Sequence, residues 1–308
     1  RWEEYFVITV MDKITLKAYA KVNLTLDVVG RRADGYHLLK SVMQSISLSD
    51  TITLQKKAQQ GISIESDHPL VPNDETNICW RAAKAFWTHT GLPGRTSVAI
   101  SLTKAIPVGA GLGGGSADAA AVLYGLNKLY KTELALGELQ KIGLTIGADV
   151  PFCLQGGTCL VEGIGERVTS VRPFPKVALV LVKPEASVST AKIYSKLEPY
   201  AHGGDSTDRL LEFLHGGSLA WDHILENALE SVTADLVPEV GLWKKRLLDH
   251  GAVFSLMSGS GPTVFGLFTS LIQAQDFQDR YREEGQVFVV SLMDKGVDVS
   301  EMNGGDQQ

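Results

Sequence analysis

Alternation of apolar and polar side chains predicts β-strands in the first part of the chain. The two-residue period of a half-buried strand is found in residues 14–29, 36–48, 51–54, 62–64 and 97–102. Residues 74–90 are instead predicted to form a helix, with Asp74 or Thr76 as its N-cap. The chain is therefore predicted to begin with strands and to become helical later, which is an α+β pattern.

A break at residues 171–175, where Pro173 and Pro175 flank Phe174, separates this part from the rest of the chain. Predicted helices are 134–146, 191–197, 208–214, 225–229, 237–249 and 272–284, and further predicted strands are 177–182, 252–257, 263–268 and 286–291. A length of 308 residues favours two domains. We place them at residues 11–172 and 173–300, and we expect the polar tail, 303–308, to be frayed.

A glycine-rich run at residues 107–122 is the most informative stretch of the sequence. Five glycines fall within residues 109–115, and alanines follow them. Glycine disfavours regular structure and alanine favours helix, so a loop and then a helix N-terminus are predicted. Ser116 is the expected cap, and Asp118 suits the positive end of the helix dipole. Backbone N–H groups and a dipole that converge in this way form an anion site, most often for phosphate.

Several kinds of loop share this glycine content. A Walker A loop ends in Gly-Lys-Ser/Thr, and this stretch has no lysine. The dinucleotide-binding pattern G-x-G-x-x-G matches at Gly109, Gly111 and Gly114, but a second helix follows at residues 134–146 where a parallel strand is required. A plain turn needs only one or two glycines. The order Pro-x-x-x-Gly-Leu-Gly-Gly-Gly-Ser-x-x-Ala-Ala is closest to a phosphate loop of a third kind, that of small-molecule kinases.

Composition and charge narrow the function classes. The net charge of −6 argues against a general nucleic-acid-binding protein, which would be basic. No uninterrupted apolar stretch is long enough to span a bilayer, and the first ten residues do not form a secretory signal. Cys79, Cys153 and Cys159 have no metal-ligand spacing and are expected to be free, buried thiols. We therefore expect a cytoplasmic protein with no nucleic-acid or membrane partner.

Three further stretches carry candidate chemistry. Lys21 and Asn23 point to the same side of the first strand, either as ligand contacts or as part of a solvated face. Asp149 precedes a short helix, either as an N-cap or as a carboxylate that accepts a proton from a substrate hydroxyl. Residues 258–262 are a glycine-rich connection between two strands, whose backbone can approach a ligand closely.

Together with the glycine-rich run, these stretches resemble the motifs of the GHMP small-molecule kinases in the correct order. The resemblance extends over residues 13–291. It implies two α+β domains, an N-terminal ribosomal-S5-domain-2-like domain and a C-terminal ferredoxin-like domain, with the active site in the cleft between them. The run Asp34-Gly35-Tyr36-His37 resembles the members that phosphorylate the 2-hydroxyl of a cytidine diphosphate-linked methylerythritol in the non-mevalonate route to isoprenoids.

The resemblance also implies residue roles. Lys21 and Asp149 match the catalytic pair. The ATP phosphate loop matches Pro107, Val108, Gly109, Ala110, Gly111, Leu112, Gly113, Gly114, Gly115, Ser116 and Ala117. The substrate site matches Asn23, beside the reacting hydroxyl, together with Tyr36, His37, Thr190, Tyr194, Gly259 and Ser260. ATP and Mg²⁺ are the implied cofactors, with Ser116 near the ion and no dedicated set of protein ligands, and the protein is expected to be a monomer or a weak homodimer.

Other functions stay open at this stage. A homoserine, mevalonate or sugar kinase would share every motif except Asp34-Gly35-Tyr36-His37. An NAD-dependent oxidoreductase would use the dinucleotide-binding pattern. A nucleotide-binding module without activity is disfavoured because both Lys21 and Asp149 are present.

Overall fold

The strands of the chain form two separate sheets. The computed structural model describes residues 11–92, 97–197, 204–217 and 225–304. The strands are β1 (Met11–Asn23), β2 (Asp27–Arg31), β3 (His37–Lys56), β4 (Gly61–Ser66), β5 (Ser97–Thr103), β6 (Thr158–Gly163), β7 (Arg167–Ser170), β8 (Ala178–Lys183), β9 (Phe254–Met257), β10 (Val264–Phe268), β11 (Gln286–Val290) and β12 (Val297–Gly304). The predicted α+β class is confirmed.

Helices cover these sheets. They are α1 (Ile78–Thr90), α2 (Gly114–Leu129), α3 (Leu136–Leu144), α4 (Val150–Gln155), α5 (Thr190–Lys196), α6 (Ser206–Leu214), α7 (Glu230–Leu236), α8 (Glu239–Asp249) and α9 (Leu271–Tyr281). Asn77, and not Asp74 or Thr76, caps α1, because its side chain accepts a hydrogen bond from the backbone N–H of Cys79. The prediction of a helix at residues 225–229 is wrong, since α7 begins only at Glu230.

The first sheet has eight strands and is built around β3. Its main order is β12-β1-β3-β5-β4, with β2 and β6 also paired to β3 and β7 paired to β6. Strand β3 is continuous where the sequence predicted two strands, and β6, β7 and β12 were not predicted. Among the strand pairs of the described residues, only β4 and β5 are parallel. This arrangement excludes the parallel, doubly wound sheet of a dinucleotide-binding oxidoreductase.

The second sheet is fully antiparallel, with the order β11-β8-β10-β9. When these strands are numbered 1 to 4 along the chain, their order across the sheet is 4-1-3-2, and α9 lies between β10 and β11, so the expected ferredoxin-like arrangement is present. Strand β12 then returns to the first sheet and pairs with β1. Residues 297–300, which we assigned to the second domain, therefore lie in the first sheet, while the division near residue 172 stays a prediction.

Helix α2 packs directly on the first sheet and fixes the loop that precedes it. A Cβ atom at Gly125 would lie 2.6 Å from Cδ1 of Leu54 and 2.9 Å from Cδ1 of Leu16, so the helix touches β1 and β3 at this glycine. Ten residues of α2 are buried. The helix N-terminus is therefore held in place by the core and not by local propensity alone.

The three cysteines have the state that the sequence predicts, that of free and buried thiols. Cys79, Cys153 and Cys159 are free and buried. Burial raises the pKa of each thiol, to about 11 for Cys159. In the part of the chain that the structure describes, every helix is too short or too polar to cross a membrane. Residues 1–10 and the tail from residue 305 onward lie outside the described residues.

Candidate active site

The glycine loop has the backbone conformation that its sequence requires. Gly109, Gly111 and Gly113 have φ angles of 66°, 77° and 71°, which are left-handed values that favour glycine. Helix α2 begins at Gly114, and Gly113 is its N-cap without a side-chain cap. The prediction that Ser116 caps the helix is therefore wrong, because Ser116 lies within the first turn. The free N–H groups of this turn are nevertheless of the kind that binds anions at a helix N-terminus.

Two neighbouring segments hold the loop. The backbone N–H of Lys21 donates to the carbonyl of Leu112 at 2.9 Å, and Ser258 Oγ donates to the carbonyl of Gly111 at 3.0 Å. A Cβ atom at Gly111 would lie 2.3 Å from the carbonyl oxygen of Ser258, so only glycine fits there. The glycine-rich run, the strand segment that carries Lys21 and the 258–262 loop are thus in direct contact.

Lys21 and Asp149 form an ion pair beside this loop. Lys21 Nζ lies 3.4 Å from Asp149 Oδ2, and the exposed fractions of the two side chains are 5% and 32%. Lys21 Nζ also donates to Asn23 Oδ1 at 2.7 Å, and Asn23 Nδ2 donates to Ser41 Oγ at 2.9 Å. Lys21 and Asn23 are buried, so the alternative of a solvated strand face is wrong.

Asp149 precedes α4, but its side chain does not cap that helix. The carboxylate makes the ion pair with Lys21 instead, so the alternative role of an N-cap is wrong. Burial, with a smaller contribution from Asp149, raises the pKa of the nearby Tyr194 hydroxyl, so Tyr194 is neutral at physiological pH. One acceptor, Asp149, thus stands next to one buried cation, Lys21, in the same cleft as the glycine loop.

A cleft of about 580 Å³ joins these groups to the second sheet. Its walls include residues 107–116 of the glycine loop and seven of the other predicted site residues, namely Lys21, Asn23, Asp149, Thr190, Tyr194, Gly259 and Ser260. Ala117, the last residue of the predicted phosphate loop, is fully buried and does not line the cleft. Thr190 Oγ1 and Ser260 Oγ share a hydrogen bond of 2.7 Å, which joins the start of α5 to the 258–262 loop.

Tyr36 and His37 lie near the cleft but are not among its lining residues. Tyr36 is 66% exposed, so the alternative that it is a core residue of the strand pair is wrong. Its backbone N–H donates to Asp34 Oδ1 at 3.3 Å. The ring of His37 stacks on Tyr194, with the centroids 5.1 Å apart. The structure therefore places the His37 ring against Tyr194, which lines the cleft.

A buried charge cluster beneath the loop was not predicted. Lys104 Nζ forms ion pairs with Asp50 and Asp118, and all three side chains are nearly inaccessible. Asp50 also accepts the backbone N–H groups of Ala105 and Ile106, which begin the loop. The only sequence signal was a carboxylate, Asp118, within the alanine-rich helix. Asp118 is thus tied to Lys104 and does not act on the dipole in the first turn.

The protonation states within this cluster are strongly coupled. Burial raises the pKa of Asp118 to about 8, against the effect of Lys104 and with the support of Asp50. Burial lowers the pKa of Lys104, but Asp118 and Asp50 raise it more, so the net change is upward. Lys104 also lines the cleft, and its raised pKa keeps it protonated beside the glycine loop, where Asp50 and Asp118 pair with its charge.

Oxygen atoms suited to a divalent cation are few. Among the described residues, no group of three or more His, Cys, Asp or Glu side chains is arranged to hold a metal ion. Ser116 faces the turn that carries Asp149, since a Cβ atom at Gly147 would lie 3.6 Å from Ser116 Oγ. One hydroxyl and one carboxylate fit Mg²⁺, which usually takes only one or two protein ligands when substrate phosphates supply the others.

Comparisons with known proteins agree with this geometry. The sequence profile of the GHMP kinases N terminal domain matches residues 77–157, and that of the GHMP kinases C terminal domain matches residues 209–287. A 4-diphosphocytidyl-2-C-methyl-D-erythritol kinase of Clostridium botulinum is 43% identical over 89% of this chain and 98% of its own length. A protein of the same name from Acetivibrio thermocellus is 46% identical over 86% of this chain and 93% of its own length.

Solved structures show the same relationship. A crystal structure of a 4-(cytidine 5'-diphospho)-2C-methyl-D-erythritol kinase has a TM-score of 0.77 and 35% identity, over 91% of this chain and 99% of the other. A homoserine kinase from Cytophaga hutchinsonii has a TM-score of 0.76 over 96% of this chain and 100% of the other. At 22% identity, that match shows a shared fold alone.

Proposed function

This chain belongs to the GHMP kinases, and within them to the 4-diphosphocytidyl-2-C-methyl-D-erythritol kinases, and from this premise we propose its reaction. The protein transfers the γ-phosphoryl group of ATP to the 2-hydroxyl of 4-diphosphocytidyl-2-C-methyl-D-erythritol. This reaction is a step of the non-mevalonate route to isopentenyl diphosphate.

The observation that carries the proposal is the position of the Lys21–Asp149 pair at the entrance to the phosphate loop. Phosphoryl transfer passes through a loose transition state, so positioning and charge stabilisation supply most of the catalysis. The first-turn N–H groups of α2 hold the phosphates at the positive end of the helix dipole. An acceptor hydroxyl that enters the cleft beside Asn23 then lies between these phosphates and Asp149.

In the transfer, Asp149 accepts the proton of the 2-hydroxyl while that oxygen forms its bond to the γ-phosphorus and the bond to the ADP oxygen breaks. Lys21 forms an ion pair with the Asp149 carboxylate in the ground state and offsets the negative charge that develops on the transferred group. Asn23 fixes the Lys21 amine through the bond at 2.7 Å. Lys21 therefore acts from a defined position and not as a mobile surface cation.

Mg²⁺ is the proposed metal ion, and the Ser116 hydroxyl and the Asp149 carboxylate, on neighbouring turns, are the groups that would hold it. When bound, the ion neutralises part of the phosphate charge. The cytidine part of the substrate is assigned to Tyr36, His37 and Tyr194. Support for this assignment comes from the position of Tyr194 in the cleft wall and from its stacking with His37.

A coupled assay of ADP release tests the proposal. The protein is supplied with Mg²⁺–ATP and, in separate reactions, with the cytidyl substrate, homoserine, mevalonate or galactose. We expect turnover with the cytidyl substrate alone. Turnover with one of the other acceptors and not with the cytidyl substrate would reject the substrate assignment and keep the kinase fold. Repeating the active reaction with EDTA tests the metal, and undiminished activity would reject Mg²⁺.

We further propose that the protein is a cytoplasmic monomer or weak homodimer. The three free, buried cysteines are consistent with a reducing compartment. Light scattering during size-exclusion chromatography over a range of protein concentrations tests the oligomeric state, and a stable assembly larger than a dimer would contradict the proposal.

A further inference from the structure

A short segment before α7 reaches the back of the 258–262 loop. Asn227 is 8% exposed and does not line the cleft. Both N–H groups of its amide point at the strand end and loop: Nδ2 donates to the carbonyl of Met257 at 2.8 Å and to that of Gly259 at 2.8 Å. Its Oδ1 accepts the backbone N–H of Leu229 at 2.9 Å. Both donors and the acceptor oxygen of the Asn227 amide are therefore hydrogen-bonded to the backbone.

Two residues of α7 complete this contact. Glu230 Oε2 accepts the backbone N–H of Met257 at 2.8 Å, and Thr233 Oγ1 donates to the carbonyl of Ser260 at 3.2 Å. Residues 257–260 are thus held by side chains at four backbone atoms, all from one side. Asn227, Glu230 and Thr233 together are called the loop clamp below.

The opposite side of the same loop faces the reacting groups. A Cβ atom at Gly259 would lie 3.3 Å from Lys21 Nζ and 3.4 Å from Asn23 Oδ1, so the loop backbone packs directly on this pair. Ser258 Oγ also donates to Gly111 of the phosphate loop. A displacement of the 258–262 loop would therefore move both Lys21 and the phosphate loop, or leave a gap beside them.

The clamp is also anchored to the first sheet near β1, the strand that carries Lys21. The backbone N–H of Leu26 donates to the carbonyl of Glu226 at 2.9 Å, and the N–H of Ala228 donates to the carbonyl of Leu26 at 2.9 Å. These bonds form an isolated parallel bridge between Leu26 and Asn227. Asn227 therefore lies between the chain segment that follows Lys21 and the loop that covers it.

From these contacts we infer that Asn227 is a positioning residue of the kinase reaction, which sets the distance between the 258–262 loop and the Lys21–Asn23 pair. This inference rests on the proposed function. Asn227 acts through the loop and does not touch the substrate. Its loss should therefore reduce kcat, because a misplacement on the order of 1 Å can cost about 100-fold in rate, while the ground-state affinity for ATP is retained.

The direct test is Asn227→Asp in the full-length protein. The substitution keeps the shape and the acceptor for Leu229, but it sets an acceptor-only carboxylate against two carbonyl oxygens. We expect kcat to fall about 100-fold, with KM for ATP and for the cytidyl substrate changed by less than about threefold. We also expect faster hydrogen exchange at the N–H of Gly261, which bonds to Ser258 in the intact loop at 2.9 Å.

Asn127→Asp is the matched control. Asn127 lies near the opposite end of α2, where its amide donates to the carbonyl of Leu134 at 3.0 Å and accepts from the N–H of Leu134 at 2.9 Å. It organises a turn as Asn227 does, but away from the cleft. Its variant should lose stability and keep wild-type kcat. A folded Asn227→Asp protein with wild-type kcat, or with no more loss than Asn127→Asp, would overturn the inference.

Thr233→Val provides a second test that does not depend on the folding of Asn227→Asp. It removes only the bond to Ser260 and keeps the side-chain shape. We expect kcat to fall about tenfold, and an unchanged kcat would argue against the clamp. The hydrogen-exchange measurement needs no substrate. If the wild type fails to phosphorylate the cytidyl compound, the proposed function is rejected, while exchange at Gly261 still decides whether Asn227 fixes the loop.

Discussion

The side chain of Lys21 occupies the space that a side chain at Gly113 would need. A Cβ atom at Gly113 would lie 2.9 Å from Cγ and 3.1 Å from Cε of Lys21. The glycine therefore serves two purposes, since it also adopts the left-handed φ of 71° that begins α2. The position of the Lys21 side chain and the conformation of the glycine loop depend on the same residue.

Gly113→Ala should impair catalysis more than stability. The new methyl group strains the loop by about 1–2 kcal/mol and displaces the Lys21 stem, whose amine is held by Asn23 and Asp149. We expect kcat to fall by about tenfold or more. Steady-state kinetics and thermal unfolding of one preparation measure the two effects separately.

Gly137→Ala is the control for this substitution. Gly137 is exposed within α3, and nothing lies within 4 Å of the position of its Cβ atom. Its replacement should leave kcat unchanged and raise stability by about 1 kcal/mol through helix propensity. Wild-type kcat in Gly113→Ala would show that the contact with Lys21 is not required.

Tyr36→Ala tests the cytidine site. Because Tyr36 is 66% exposed, its removal should hardly change the melting temperature. If the ring stacks on cytosine, about 1–3 kcal/mol of binding is lost, and KM for the cytidyl substrate rises by about tenfold or more. KM for ATP should not change, and Tyr36→Phe, which keeps the ring, should behave as the wild type. An unchanged KM for the cytidyl substrate in Tyr36→Ala would remove Tyr36 from the site.

Asp118 should make the stability of the protein depend on pH. Its pKa is raised from 3.8 to about 8 in the folded protein, so the folded state holds a proton that the unfolded state releases. The contribution of Asp118 to stability is therefore complete below about pH 4 and decreases as pH rises toward 8, by at most about 1.4 kcal/mol per pH unit. Chemical denaturation at pH 5 and pH 8 measures this change.

Asp118→Asn has no proton to release at this position and should lose less stability than the wild type between pH 5 and pH 8. An equal loss in both proteins would mean that Asp118 is already ionised at pH 5 in the folded state, with Lys104 outweighing the effect of burial.

The comparison of sequence and structure shows which features are encoded locally. Lys21, Asn23 and the glycine loop were recognisable because each lies in a short pattern with its own chemistry. Strand β12 was not predicted, because its polar residues gain a reason to be a strand only from pairing with β1. Asn227 has no local signal either, since its role is to bond Met257 and Gly259, which are distant in sequence.

The wrong predictions for Ser116 and Asp118 also result from contacts between residues that are distant in sequence. Ser116 is a plausible cap and Asp118 a plausible partner of the helix dipole, but the helix begins at Gly114, where α2 packs on the sheet, and Asp118 pairs with Lys104. For Ser116 and Asp118, local chemistry allows more than one role, and contacts with distant parts of the chain select the role that is observed.

The central claim is that Asp149 accepts the proton of the substrate hydroxyl, and the kcat of Asp149→Asn tests it most directly. The substitution keeps the shape of the side chain and removes its basicity, so kcat should fall by about 10²–10⁴-fold, while calorimetry shows ATP affinity close to that of the wild type. A folded Asp149→Asn protein whose kcat stays within about threefold of the wild type would contradict the account, because the carboxylate beside Lys21 would then have no part in the chemistry.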